Sequence, residues 1–258
     1  MNSDILERFA ELPEGIRDEY AKAVRRVADA DLFFFAKYIL AYKDLRHDTH
    51  DEAVRVLESD AHRKIVIMPR GTFKSTLASV AYPIWRLARD PDMTIMLDSE
   101  IYTNSKNFLR EIRQHLESND LLRMVWGPWK GPVWTEGEIT IAQRRRNRKE
   151  ASITVGGIET VKVGQHYDAI IGDDYNSPRN SDTPEKCSKV IDHVRYNLNI
   201  LNPGGEYVFA ATRYAERDVP GFFFKEILAM PHLAEGKLTA VNESGPLAIE
   251  REALLDFT

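Results

Sequence analysis

The feature that most constrains this chain is a short, unbroken apolar run, Ile65-Val66-Ile67-Met68, that passes directly into Pro69-Arg70-Gly71-Thr72-Phe73-Lys74-Ser75-Thr76 and an amphipathic stretch from Ser75 to about Arg89. A strand that is apolar at every position is covered on both faces. Delivered into a tight loop and a helix, it is the first half of a strand–helix–strand crossover. The pattern repeats. Thr94-Ile95-Met96-Leu97 reads as a second strand, Asn104 to Leu116 as a second helix, Tyr167 to Gly172 as a third strand, and Pro184 to Leu198 as its helix. A Pro203-Gly204-Gly205 turn leads to a strand from Glu206 to Ala211, with a helix around Phe222 to Leu228. The expectation is an α/β fold with a mostly parallel central sheet flanked by helices.

Two regions fall outside this rhythm. Residues 1–60 read as an N-terminal helical subregion packed on the core. Ile16, Tyr20, Val24 and Val27 recur at helical spacing, the Phe33-Phe34-Phe35 stretch is denser, and Thr49-His50-Asp51-Glu52 has the form of a capping box. Residues 61–235 form the core, with an insertion at about 119–160. The insertion holds Trp126, Trp129 and Trp134, read as a satellite core, and an antiparallel hairpin whose arms, around Glu138–Ile141 and Ala151–Val155, flank the basic run Arg144 to Lys149. Residues 236–258 are a tail or the start of a linker. The single cysteine excludes a disulfide framework and a cysteine-built zinc site, and the net charge of −5 argues against coating nucleic acid through bulk charge. No apolar run approaches the roughly 18–20 residues that a bilayer span needs. The expected setting is a reducing cytosol, with no membrane.

The chemistry-bearing residues sit at predicted strand ends. A phosphate-binding loop needs inward-facing backbone N–H groups, a lysine for the β- and γ-phosphates and a hydroxyl for Mg²⁺ at the start of the next helix. Lys74, Ser75 and Thr76 stand where those roles require, although Met68 and Phe73 occupy the two glycine positions of the usual signature. Ala169-Ile170-Ile171-Gly172-Asp173-Asp174 is an apolar strand ending in two acids. Asp173 is suited to hold the metal, directly or through its water, and Asp174 to orient and deprotonate an attacking water; a pair of turn or capping aspartates is the alternative. Thr212-Arg213 ends another buried strand, where it either reaches the γ-phosphate edge or closes a turn.

In these motifs, and in Gly164-Gln165-His166-Tyr167-Asp168 leading to the acidic strand, the chain resembles the ATPase domain of the large terminase subunit of tailed double-stranded DNA phages, over roughly residues 32–230. The resemblance implies a P-loop NTPase of the additional-strand (ASCE) type, with the Thr212 strand between the phosphate-loop strand and the Asp173 strand. It implies ATP and Mg²⁺ as cofactors, with Pro69 to Thr76 as the nucleotide loop, Ser75 and Asp173 at the metal, and Lys74, Arg70, Asp174 and Thr212 as catalytic. It also implies double-stranded DNA, a portal protein and a small terminase subunit as partners in the cytoplasm of a bacterial host, with a homo-oligomeric ring when assembled and a monomer in isolation. Where the family more often has glutamate after the metal-binding acid, this chain has Asp174. Related motors supply an arginine from the neighbouring subunit just before the acidic strand, where this chain has Lys162 and no arginine.

That gap leaves Lys162, Arg146 and Arg148 as candidates for the trans-acting finger. The basic run has two further readings, a solvated turn or a contact to the DNA backbone. His50, with Tyr38 and Tyr42, lies by family position in the region that packs on adenine. The short tail after the last predicted helix leads to the expectation of an ATPase portion without the family's nuclease domain. A helicase-like translocase of the same fold, or a nucleotide-binding assembly module with little turnover, are the competing functions.

Overall fold

The computed structural model describes residues 2–160, 164–212, 219–223, 241–242 and 245–246, with the side chains of residues 2–4 and of those beyond 223 left aside. The helices are α1 (Asn2–Glu11), α2 (Glu14–Ala30), α3 (Leu32–Phe34), α4 (His47–Glu58), α5 (Tyr82–Arg89), α6 (Tyr102–Ser118), α7 (Asp120–Trp126), α8 (Pro184–Asn199) and α9 (Val219–Phe222). The strands are β1 (Arg63–Ile67), β2 (Ile95–Ser99), β3 (Lys130–Trp134), β4 (Glu138–Ile141), β5 (Ile153–Val155), β6 (Tyr167–Asp173), β7 (Leu201–Ala211), β8 (Val241–Asn242) and β9 (Gly245–Pro246). They form one sheet in the order β3-β4-β5-β2-β6-β7-β1-β8-β9. The consecutive strands β5, β2, β6, β7 and β1 are parallel, and antiparallel strands extend both edges. β7 lies between β1 and β6.

Alternate residues along each central strand point to opposite faces, and they feed two separate cores. Val66, Ile95, Leu97, Ala169, Ile171 and Val208 pack with the N-terminal helices, α5 and α6. Ile65, Ile67, Met96, Ile170, Tyr207 and Phe209 pack with α8 and residues 219–223. Sheet-wide burial on both faces leaves the strand ends as the places where polar side chains converge.

Several expectations are corrected. The helix at Thr49 begins earlier, at His47 with Arg46 as its cap residue, so the capping box does not form; Thr49 Oγ1 instead donates to Asp48. The helix after the loop contains a π-helical stretch, Thr76–Ala81, in which the Tyr82 N–H reaches back to the Leu77 carbonyl. Pro83 follows at once, at the start of α5, where its missing N–H is tolerated. Pro203-Gly204-Gly205 is not a turn before the strand but a bulge inside β7: Tyr167 faces Leu201 while Ala169 faces Glu206. β3 was hidden by Gly131 and Pro132, and an edge strand tolerates both. Trp126 and Trp129 are part of the main core rather than a satellite. The expected helix around Phe222 to Leu228 lies mostly outside the described residues. No helix among the described residues is long and apolar enough to cross a membrane.

At the N-terminal end of the parallel strands, Lys64 is buried and donates to the Leu57 carbonyl, the Tyr82 hydroxyl and Glu206, each at 2.9 Å. Arg86 also binds Glu206. Burial pushes the Glu206 carboxyl up, but the Lys64 ammonium and the Arg86 guanidinium outweigh it and hold it below its ordinary value. Breaking such a pair leaves an uncompensated buried charge, so Glu206→Gln is expected to lower unfolding free energy by about 3–5 kcal/mol in urea titrations. The carboxylate titrates lower folded than unfolded. Its contribution is therefore complete above the unfolded value of 4.5 and is lost as pH falls through the folded one.

Candidate functional site

β1 and the helix after it hold the 68–76 loop from both ends. The Met68 N–H donates to the Ala211 carbonyl at 3.3 Å, and the Leu77 N–H to the Phe73 carbonyl at 2.8 Å. Gly71 has φ +78° and Phe73 has φ +58°. Phe73 therefore adopts, without being glycine, the left-handed backbone that glycine provides at this position of the usual signature. A non-glycine residue held there costs about 1–3 kcal/mol and persists only where its surroundings fix it. Here Thr72 Oγ1 donates to the Pro69 carbonyl at 2.7 Å. The buried His50 imidazole lies 3.1 Å from the Thr72 carbonyl and meets the Phe73 ring edge-on. With the proton on Nε2, His50 donates to that carbonyl. His50 thus supports the loop, whereas the Tyr42 hydroxyl is bound by Glu111 and His115 of α6.

The loop lysine and the strand-end acids meet. Lys74 Nζ is 2.8 Å from Asp174 Oδ1, with the lysine side chain 4% exposed and the aspartate side chain 35%. The two atoms lack the alignment of a hydrogen bond, and neither has another hydrogen-bond partner among the described residues. Ser75 Oγ donates to Asp173 Oδ1 at 2.9 Å, and Ser79 Oγ to Asp173 Oδ2 at 2.6 Å. Burial raises the Asp173 carboxyl above its ordinary value; Lys74 pulls it back and Asp174 adds to the rise. Ser79 was missed by sequence reasoning, although its spacing of four from Ser75 puts both hydroxyls on one helix face. Thr212 Oγ1 lies 3.5 Å from the Met68 carbonyl, at the margin of a hydrogen bond, so the end of β7 adjoins the loop. Arg70 is exposed on the loop, and Thr76 opens the π-helical stretch.

The residues fit a magnesium–phosphate group. A buried ammonium without an aligned acceptor suits an anion with many acceptor oxygens. Asp173 uses both oxygens to hold serine hydroxyls, so it orients Ser75. Among the described residues no three His, Cys, Asp or Glu side chains form a metal cage. That is compatible with Mg²⁺, which is commonly held by few protein groups together with water and substrate phosphates.

The basic hairpin lies elsewhere. β4 and β5 pair antiparallel as expected, and their connection folds toward the opposite end of the sheet. Arg148 forms an ion pair with Asp168 at 2.8 Å. Asp168 is near the start of β6 and Asp173 is at its end, about 17 Å apart at strand rise. Asp92 accepts the backbone N–H groups of Arg145 and Arg146, both at 2.8 Å, leaving the Arg146 side chain 73% exposed. Lys162, Arg213 and Tyr214 lie outside the described residues.

No protein-family model matches the chain, and no curated protein matches it.

Asp174→Ala would remove the carboxylate that lies 2.8 Å from the buried Lys74 ammonium. A loss of about 1–3 kcal/mol in unfolding free energy is expected, largely recovered when Lys74→Met is added. Additive losses in urea titrations would contradict the pairing.

Proposed function

We propose that the chain is a P-loop ATPase of the additional-strand type that acts as a DNA-translocating motor, as the large terminase resemblance implies. The observation that carries this reading is the convergence of Lys74, Ser75, Asp173 and Asp174 at one edge of a parallel sheet. The position of β7 between β1 and β6 supports it, as does the glycine-like backbone of Phe73. Lys74 binds the β- and γ-phosphates, exchanging Asp174 for phosphate oxygens. Ser75, oriented by Asp173, and Asp173 behind it hold Mg²⁺. When bound, the metal neutralises charge on the phosphates. Asp174, freed from Lys74, orients a water and accepts its proton. Arg70 is on the same loop to contact the γ-phosphate, and Thr212 adjoins it from β7 to couple hydrolysis to movement.

The Lys74–Asp174 contact also favours a second reading. An acid held by the loop lysine is unavailable as a base, as in a nucleotide-binding assembly module with little turnover. Hydrolysis separates the two. Lys74→Ala is expected to abolish Mg-ATP turnover, and Asp174→Asn to lower kcat by about 10²-fold or more with nucleotide binding retained. Unchanged turnover in either variant would refute the motor reading, and tight binding without hydrolysis even with DNA and portal present would select the module. Turnover by the motor is also expected to rise more than linearly with protein concentration, because a ring brings in a trans-acting group.

Arg148 is held by Asp168 at 2.8 Å, whereas Arg146, 3.8 Å from Asp92 and 73% exposed, is held more loosely and is the better candidate for that group or for a DNA contact. Arg145, Arg146 and Lys149 are exposed together on the backbone pinned by Asp92. If they meet DNA phosphates, replacing all three with alanine is expected to reduce the slope of log affinity against log salt by about 2–3, measured by fluorescence anisotropy. An unaltered slope would leave Arg146 to the trans role.

A further inference from the structure

Beside the candidate site, at the ends of β2 and β6, lies a buried polar cluster that the phosphate chemistry does not use. Asp98 Oδ2 accepts from the Tyr175 hydroxyl at 2.8 Å and from Asn197 Nδ2 at 2.6 Å, and lies 2.6 Å from His193 Nε2. The Tyr175 and Tyr207 hydroxyls are 3.0 Å apart. Every member is less than a tenth exposed. Two glycines make room: a Cβ on Gly172 would come within 2.5 Å of the Tyr175 ring, and one on Gly156 within 2.7 Å of Asp98 Oδ1. Buried polar groups are costly to desolvate, and those that are paired rigidify what they hold; here three groups meet Asp98 Oδ2, while Asp98 Oδ1 has no hydrogen-bond partner among the described residues.

What this network holds is the residue next to Asp174. Asp174 has φ +40°, and its N–H donates to the Ala210 carbonyl of β7 at 2.9 Å. On its other side the chain continues into Tyr175, whose hydroxyl is tied to β2 through Asp98, and Asp98 is tied to α8 through His193 and Asn197. The left-handed turn is thus fixed from two directions, and its side chain projects to Lys74. We propose that Tyr175 and Asp98 are positioning residues that set the Asp174 carboxylate against the phosphate loop.

As a statement about catalysis this rests on the hydrolysis reading; as a statement about geometry it does not. Two measurements keep the failures apart. The first is the coupling between Lys74 and Asp174, from double-variant cycles in urea, repeated with Tyr175→Phe. The coupling is expected to fall by at least about half when the hydroxyl is absent; an unchanged coupling overturns the proposal whether or not the chain hydrolyses ATP. The second compares kcat with the affinity for a fluorescent non-hydrolysable ATP analogue. Tyr175→Phe and Asp98→Asn are each expected to lower kcat about tenfold or more while affinity stays within about twofold, and the combined variant is expected to be no worse than the poorer single one. Unchanged kcat in folded Tyr175→Phe, or affinity falling in step with kcat, contradicts the positioning role. Absence of Lys74-dependent turnover in the unaltered chain defeats the hydrolysis reading alone, and the coupling measurement then decides the proposal.

Discussion

The site depends on one awkward charge. Lys74 is an ammonium almost wholly removed from solvent at the mouth of a parallel sheet, and burial of a cation is tolerable only beside an anion. Much of the local structure serves that requirement. β1 and its helix fix the loop that carries Lys74, while β6 ends in acids that reach it. Asp174 takes a left-handed backbone to bring its carboxylate to 2.8 Å. Asp173 stays beneath, occupied by two serine hydroxyls from the helix. The two acids are adjacent in sequence but differ in exposure and partners, which is what permits them different tasks.

The same sheet separates chemistry from other contacts. Polar groups that face the loop collect at the C-terminal ends of the parallel strands. The Lys64–Glu206–Arg86 cluster and the Arg148–Asp168 pair stand at the N-terminal ends. On the proposed function, a DNA or neighbouring-subunit contact at the basic hairpin would act on the far side of the molecule from its own nucleotide. β6 then links the two ends directly, carrying Asp168 at one and Asp173 at the other.

How much was legible in the sequence follows from the range of the interactions involved. The central strands and their helices declare themselves through continuous apolar runs and helical spacing, and the loop lysine and twin acids through their positions just after such runs. What escaped depends on partners distant in the chain. Thr49 has the right neighbours for a capping box, yet His50 is drawn into the helix and onto the Thr72 carbonyl. Pro203-Gly204-Gly205 reads as a turn, but the pairing of β7 with β6 makes it a bulge. Asp98 follows the apolar run Thr94 to Leu97 with no local signal, because its partners Tyr175, His193 and Asn197 lie far along the chain.

The most direct measurement is a crystal structure of the chain with a non-hydrolysable ATP analogue and Mn²⁺ in place of Mg²⁺. The expected result is a γ-phosphate oxygen within hydrogen-bond distance of Lys74 Nζ and an anomalous manganese peak at Ser75 Oγ, with Asp174 turned from the lysine toward the phosphate. A nucleotide seated away from the 69–76 loop, or manganese bound by groups other than Ser75 and Asp173, would contradict the single-site account.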